Sequence, residues 1–224
     1  MMKAVLLDID DTLLDFDANA KKALELCCRT AGTPFLPEYP ALFHKVNDVL
    51  WGKVETGEIT RAQLYDVRFG LVFAEWGISA APKPFEEQFR HELCTLAEHM
   101  DGAIDLLDYL KGKYLICAAS NSAYEQQISR LKTAGMFSYF DKLYISEKVG
   151  ASKPSEQFFE YCLNDLAPLP KEEIIMIGDS PNADILGAKK MGIPTCWFAH
   201  GKRASMSCEA DYTVHSLAEI KNVL

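Results

Sequence analysis

The sequence predicts an α/β fold: a doubly wound, Rossmann-like parallel sheet core carrying a small inserted helical domain. Three observations lead there. Apolar runs of strand length recur along the chain, amphipathic stretches of helical length separate them, and the rhythm breaks once over a long segment with no strand-like run.

The runs are residues 4–9, 114–119, 142–145, 174–177 and 195–198. Each is short and nearly continuous in apolarity, as strands buried on both faces of a parallel sheet are. Between the later ones lie amphipathic segments 103–111, 123–134, 155–163 and 182–191. Strand and helix in alternation place helices on both faces of one parallel sheet. The break falls between the first two runs. It reads as helices over 17–31, 40–55, 60–77 and 84–97, punctuated by Gly32-Thr33-Pro34, by Thr56-Gly57 and by residues 77–84. Residues 1–15 and 100–224 are therefore expected to form the core and 16–99 the helical insert, with joints near 14–17 and 99–102.

Composition narrows the function classes. Of 224 residues, 49% are hydrophobic and 25% charged, which suits a folded core and excludes a disordered chain. The net charge is -9, and no basic cluster is longer than Lys189-Lys190 or Lys202-Arg203, so a nucleic-acid groove is not expected. An acidic protein that handles an anion needs local positive charge, from a metal ion or from a few placed Lys and Arg side chains. The seven cysteines are scattered, with no C-x-x-C pair and no zinc-ligand spacing. Free thiols and a cytoplasmic location are the expectation. Met1-Met2-Lys3 leads into a run too short for a signal peptide, and no stretch of eighteen apolar residues exists, so no membrane contact is expected. Monomer and homodimer both stay open.

In open α/β sheets, ligands bind beyond the carboxyl ends of the strands. Four polar groups fall there. Asp8 and Asp10 leave the first run two residues apart, and a strand alternates its faces with that period, so both can reach one cation and one substrate. One carboxylate can attack phosphorus while the other moves protons; equally, the pair can be solvated loop acids opening a turn. Ser120-Asn121 follows the second run, where a hydroxyl, an amide and free helix N–H groups can all donate to a phosphate; a plain helix cap from Ser120, Asn121 or Ser122 is the alternative. Lys153-Pro154 stands before a helix and can supply the positive charge, or be a solvated lysine. In Gly178-Asp179-Ser180-Pro181-Asn182-Ala183-Asp184, Asp179 can complete an oxygen ligand set for Mg²⁺, and Asp184 can hold a metal-bound water or Lys153, or merely complement a helix dipole. The order of acid pair, hydroxyl, lysine and acid cluster on successive strand ends favours one shared site.

Taken together, these motifs resemble the haloacid dehalogenase-like hydrolases. Asp8-Ile9-Asp10-Asp11-Thr12-Leu13 is similar to the family's first motif, Ser120-Asn121 to its second, Lys153-Pro154 to its third and Gly178 through Asp184 to its fourth. The resemblance implies Asp8 as nucleophile and Asp10 as general acid and base. It implies Mg²⁺ bound by the Asp8 and Asp179 carboxylates and the Asp10 carbonyl, with Asp184 in support, and a phosphoryl group held by Ser120 and Lys153. Asp10 marks phosphate chemistry, since the founding dehalogenases lack that second aspartate. The segment 46–51 (Val-Asn-Asp-Val-Leu-Trp), with Gly57-Glu58-Ile59-Thr60, Gln63-Leu64, Arg68-Phe69, Ile145 through Gly150 and Ala183 through Ala188, resembles the bacterial pyrimidine 5′-nucleotidases of this superfamily. That implies a small phosphorylated metabolite, a nucleoside monophosphate, as substrate. A sugar-phosphate or phosphoglycolate phosphatase, or a phosphomutase, is the alternative on the same core. The insert would then be a cap that reads the leaving group, with Phe16, Trp51, Tyr65, Arg68, Phe69 and Trp76 as candidates for that task or for its own core. His44, His91, His99, His200 and His215 fall in no motif and are expected to be structural or exposed.

Overall fold

Continuous apolarity at residues 4–7 has a direct outcome: the strand they form, β1 (Ala4–Leu7), is wholly buried between two parallel neighbours. The structure, a computed structural model, describes residues 1–224, the side chains of 202 and 203 excepted. β2 (Leu115–Ser120), β3 (Lys142–Ile145), β4 (Ile174–Gly178), β5 (Thr195–Phe198) and β6 (Tyr212–Val214) complete a six-stranded sheet in the order β3-β2-β1-β4-β5-β6, parallel throughout. The chain winds outward from β1 on one side, crosses back, and winds outward on the other. This is the doubly wound α/β architecture that the alternation predicts. β6 was not anticipated. It is a three-residue edge strand in which Val214 alone is buried, and an edge with a wet face needs no apolar run to announce it.

Two compact units result, Met1–Asp15 with Glu98–Leu224, and Phe16–Ala97. The second holds α1 (Phe16–Thr30), α2 (Tyr39–Glu55), α3 (Arg61–Trp76) and α4 (Pro82–Thr95). α3 starts where it does because Thr60 and Gln63 satisfy each other's backbone: Gln63 N donates to Thr60 Oγ1 at 3.2 Å and Thr60 N to Gln63 Oε1 at 2.8 Å. It stops at Gly77, whose left-handed backbone (φ 68°) turns its N–H onto the Phe73 carbonyl. α4 begins two residues ahead of the expected start. Pro82 sits in its first turn, where N–H groups have no intrahelical partner to lose. Phe43, Phe69, Phe73, Phe85 and Phe89 interlock at the centre, and Tyr39 stacks on Trp76 at 4.0 Å.

The first unit adds α5 (Ala103–Leu110), α6 (Tyr124–Thr133), α7 (Ser146–Val149), α8 (Glu156–Leu166) and α9 (Gly187–Lys190). Its two crossing segments pair with each other, Asp15 N donating to the Glu98 carbonyl at 2.9 Å. α8 opens on Ser155, which accepts from Phe158 N at 3.4 Å, and lays Phe158, Phe159, Cys162 and Leu166 among Leu6 and Met176 of the sheet. Residues 182–191, expected as one helix, instead open with a π-helical stretch, Pro181–Leu186, that precedes α9. α9 then approaches so closely that a Cβ on Gly187 would lie 2.8 Å from Pro154 Cα. All seven cysteines are free thiols, and no helix among the described residues is long and apolar enough to cross a membrane.

Candidate active site

Asp8 follows β1 directly, and its N–H donates to the Ile177 carbonyl of β4 at 2.9 Å, which fixes where its side chain leaves the sheet. Its carboxylate is doubly held. Lys153 Nζ donates to Oδ1 at 2.7 Å, and the Thr12 hydroxyl lies 3.2 Å from Oδ2 and 3.4 Å from Asp179 Oδ1. The loop between turns sharply: Asp11 adopts a left-handed backbone (φ 57°), and the Ile9 carbonyl accepts from Leu13 and Leu14 at 2.8 and 2.9 Å.

Lys153 is only 2% exposed, which removes the solvated alternative. Its ammonium also donates to Asp184 Oδ1 at 2.6 Å. Asn121, just past β2, positions it: Lys153 N donates to Asn121 Oδ1 at 2.9 Å, and Asn121 Nδ2 donates to the Lys153 carbonyl at 2.8 Å. Asn121 was expected to donate to phosphate. In the structure its amide brackets the lysine backbone. Ser120 is buried at the end of β2, its Oγ accepting from Ser122 N at 3.3 Å. Neither it nor its neighbours cap α6; Tyr124 N at that helix start donates to Glu147 Oε2 at 3.0 Å.

Of the partners expected for Asp184, Lys153 is in place, and the backbone at the start of the following turn takes the other oxygen. Oδ1 takes Lys153, and Oδ2 accepts from Ser180 N at 3.0 Å in the first turn of the π-helical stretch. Gly178 makes room, since a Cβ there would stand 2.9 Å from Asp184 Cβ. Asp179 is fixed through its carbonyl by Trp197 Nε1 at 2.9 Å. Asp8, Asp179 and Asp184 offer carboxylate oxygens that all lie within 4.8 Å of one another, and all three residues are buried. Closely grouped hard oxygens carrying more negative charge than one lysine balances fit a small divalent cation.

Burial and charge together set the titration of the cluster. Burial pushes the Asp8 carboxyl up, to about 7, against the pull of Lys153 and with Asp184 adding to the rise. Burial alone would lower the Lys153 ammonium, but Asp184 and Asp8 outweigh it and hold that group above its ordinary value.

Asp10 stands outside this cluster. Its Oδ1 accepts from Arg130 Nη1 and its Oδ2 from Gln127 Nε2 at 3.3 Å, both from α6. Neither partner was foreseen, and neither was the Thr12 hydroxyl between Asp8 and Asp179. Nor was the hold of His200 on the motif loop, where Nε2–H donates to the Asp11 carbonyl at 2.6 Å. Arg130 follows Gln127 by three residues on the buried face of α6, a placement that the structure reveals and the sequence does not announce.

Of the residues named for reading a leaving group, three belong to the interior of the helical unit. Phe69 and Trp76 lie in its aromatic core. Arg68 is buried, its guanidinium held by Glu86 at 2.6 and 3.0 Å and by Asn47 at 3.0 Å. Phe16 packs against the same core, while Trp51 and Tyr65 keep intermediate exposure.

Comparison with known proteins agrees with this geometry. A model of the haloacid dehalogenase-like hydrolase family matches residues 2–192. The chain is 32% identical to the pyrimidine 5′-nucleotidase PynA of Streptococcus pneumoniae, covering 99% of this chain and 94% of that one. It is 30% identical to the pyrimidine 5′-nucleotidase YjjG of Escherichia coli, covering 98% and 96%. The magnesium-bound crystal structure of the HAD-hydrolase YfnB of Bacillus subtilis superposes with a TM-score of 0.92 at 30% identity, over 100% of this chain and 98% of that one. Motif order, sheet order and full-length likeness point the same way, and the chain belongs to the haloacid dehalogenase-like hydrolase family.

Proposed function

We propose that the protein is a Mg²⁺-dependent phosphatase of small phosphate monoesters, nucleoside 5′-monophosphates first among them, working through an aspartyl phosphate on Asp8. The observation that carries the reading is the division of the first motif. Asp8 lies in the carboxylate cluster beside Lys153, while Asp10, two residues on, points its carboxyl elsewhere, onto Arg130 and Gln127. One acid suits attack and the other suits proton transfer. The likeness to two pyrimidine 5′-nucleotidases over the full chain supports the nucleotide class.

In the first step an Asp8 oxygen forms a bond to phosphorus as the bond to the ester oxygen breaks. That oxygen takes the Asp10 proton and leaves as an alcohol. In the second, Asp10 takes a proton from water, the water oxygen attacks the same phosphorus, and inorganic phosphate departs with Asp8 regenerated. Lys153 and Ser120 hold phosphoryl oxygens meanwhile, the ammonium by charge and the hydroxyl by donation. Asp8, Asp179 and the Asp10 carbonyl would hold Mg²⁺, with Asp184 in support. When bound, it neutralises the charge that otherwise sets carboxylates and phosphate against each other. The core motifs engage phosphate alone, so selection of the leaving group falls to the helical unit Phe16–Ala97. The free thiols accord with a cytoplasmic enzyme.

The test is phosphate release with Mg²⁺ from nucleoside monophosphates, sugar phosphates and phosphoglycolate. Nucleotides should lead, Asp8→Asn should abolish turnover, and exhaustive chelation should stop it. Release from the Asp8 variant at the native rate would overturn the covalent route. A profile led by sugar phosphates would move the substrate class, and an isomerised product without phosphate release would make the protein a mutase.

A further inference from the structure

We infer that Arg130, seconded by Gln127, is the positioning residue for Asp10: it anchors one carboxyl oxygen so that the other is presented to the leaving group. The inference rests on the phosphatase reading and adds to it a residue that lies outside the four motifs. Residues three apart on a helix share a face, and α6 turns both of these side chains inward, Gln127 fully buried and Arg130 1% exposed. Arg130 Nη1 donates to Asp10 Oδ1 and, at 3.3 Å, to Gln127 Oε1; Gln127 Nε2 donates to Asp10 Oδ2 at 3.3 Å. The three side chains close a ring in which each holds the other two.

The ring is a poor device for stability alone. Arg130 Nε and Nη2 are buried with no hydrogen-bond partner among the described residues, and Asp10 supplies its ion pair. An apolar residue of similar volume would serve the interior as well or better, since a buried ion pair recovers its desolvation only with its donors satisfied. What the arginine does supply is direction. A guanidinium donates, never accepts and carries a positive charge, so it disfavours a proton on the oxygen that faces it. Oδ1 is thereby the anchor, and Oδ2, which meets only the neutral Gln127 amide at 3.3 Å, is the working oxygen. A short, freely rotating acid is confined to one presentation before substrate arrives, which is the advantage that orientation brings to proton transfer.

A bond that merely ties α6 to the loop would affect all substrates alike. A hold on the general acid affects them according to how much their leaving oxygen needs a proton. The experiment compares kcat/KM for a nucleoside 5′-monophosphate, whose alkoxide must be protonated, with that for p-nitrophenyl phosphate, whose phenolate leaves unaided. Arg130→Met should lower the first by roughly 100-fold, within the range of general acid catalysis, and the second by no more than about threefold. Arg130→Lys should recover part of the selective loss. Equal losses on both substrates, or none on either, overturn the inference. Should Arg130→Met fail to fold, Gln127→Leu decides, with a selective loss of roughly tenfold expected and an even loss overturning. Thermal denaturation gives a readout free of turnover. Asp10→Asn should lower Tm by more in the native background than in Arg130→Met, and additive shifts would show that the two residues are not coupled. If the native protein hydrolyses neither phosphate, the phosphatase reading fails, and the denaturation cycle still decides whether Arg130 holds Asp10.

Discussion

At position 178 the side chain is a hydrogen because the Asp184 carboxylate fills the space where a methyl would go. The strand end, the π-helical turn and the lysine are thus packed without slack around one acid. Gly178→Ala should push Asp184 off Lys153, cost about 1–3 kcal/mol of stability, and reduce turnover by far more than that loss of folded protein explains. Denaturation and steady-state rates on the same preparation check it; a variant with native kcat would show that Asp184 can move without consequence. At this scale the sequence was legible where chemistry follows an apolar run. Asp8, Ser120 and Asp179 each end or follow a strand, and Lys153 precedes a proline at a helix start. Arg130 and Gln127 were not legible, because their partner Asp10 lies 120 and 117 positions away and nothing local distinguishes a functional arginine on a helix from a solvated one.

Among the elements, α3 and α4 show how a buried charge can organise a bundle. The Arg68 guanidinium is clamped by Glu86 and Asn47, and four aromatic rings, those of Phe43, Tyr65, Phe69 and Phe89, surround it at 5.0 to 5.6 Å. Removing Glu86 leaves a cation inside an aromatic core. Glu86→Ala should therefore destabilise the protein by about 3–5 kcal/mol, whereas Arg68→Met with Glu86→Gln together should cost less than Glu86→Ala alone. Chemical denaturation of the three variants measures the difference, and a double variant less stable than the single one would contradict it. Sequence pattern found these helices to within two residues, since proline, glycine and the Thr60-Gln63 pair mark their ends. It could not find the Arg68 clamp, and so the arginine was named as a possible reader of substrate. Nor could it separate the π-helical stretch from the helix that continues it, because the wider turn depends on what Ser180 and Asp184 bond to and not on local preference.

For the whole molecule, the free thiols set an alkaline limit. Burial pushes Cys27, Cys117 and Cys196 up to about 12, and raises Cys162 as well. In the unfolded chain the same groups ionise near about 8.5. Below that pH both states keep the proton and the thiols contribute nothing to the pH dependence. Above it the unfolded state gains by ionising while the folded state does not, so stability falls as pH rises toward the folded value. Each such thiol adds a slope approaching about 1.4 kcal/mol per pH unit. Urea midpoints should drop steadily between about pH 8.5 and pH 10.5, and a level profile there would contradict the burial of these groups.

The strand order has a further meaning for how the chain comes into being. Asp8 and its lysine are 145 positions apart, and Asp184 is another 31 beyond. β1, made first, takes the middle of the sheet and pairs with β4, which is made late. During synthesis Asp8 therefore emerges ahead of its partners, on an apolar strand whose neighbours are still to be made. The helical unit Phe16–Ala97, compact by its internal packing, can close in the interval. The acid meets Lys153 only after 145 further positions have been made, so no nascent fragment short of Asp184 contains the assembled cluster.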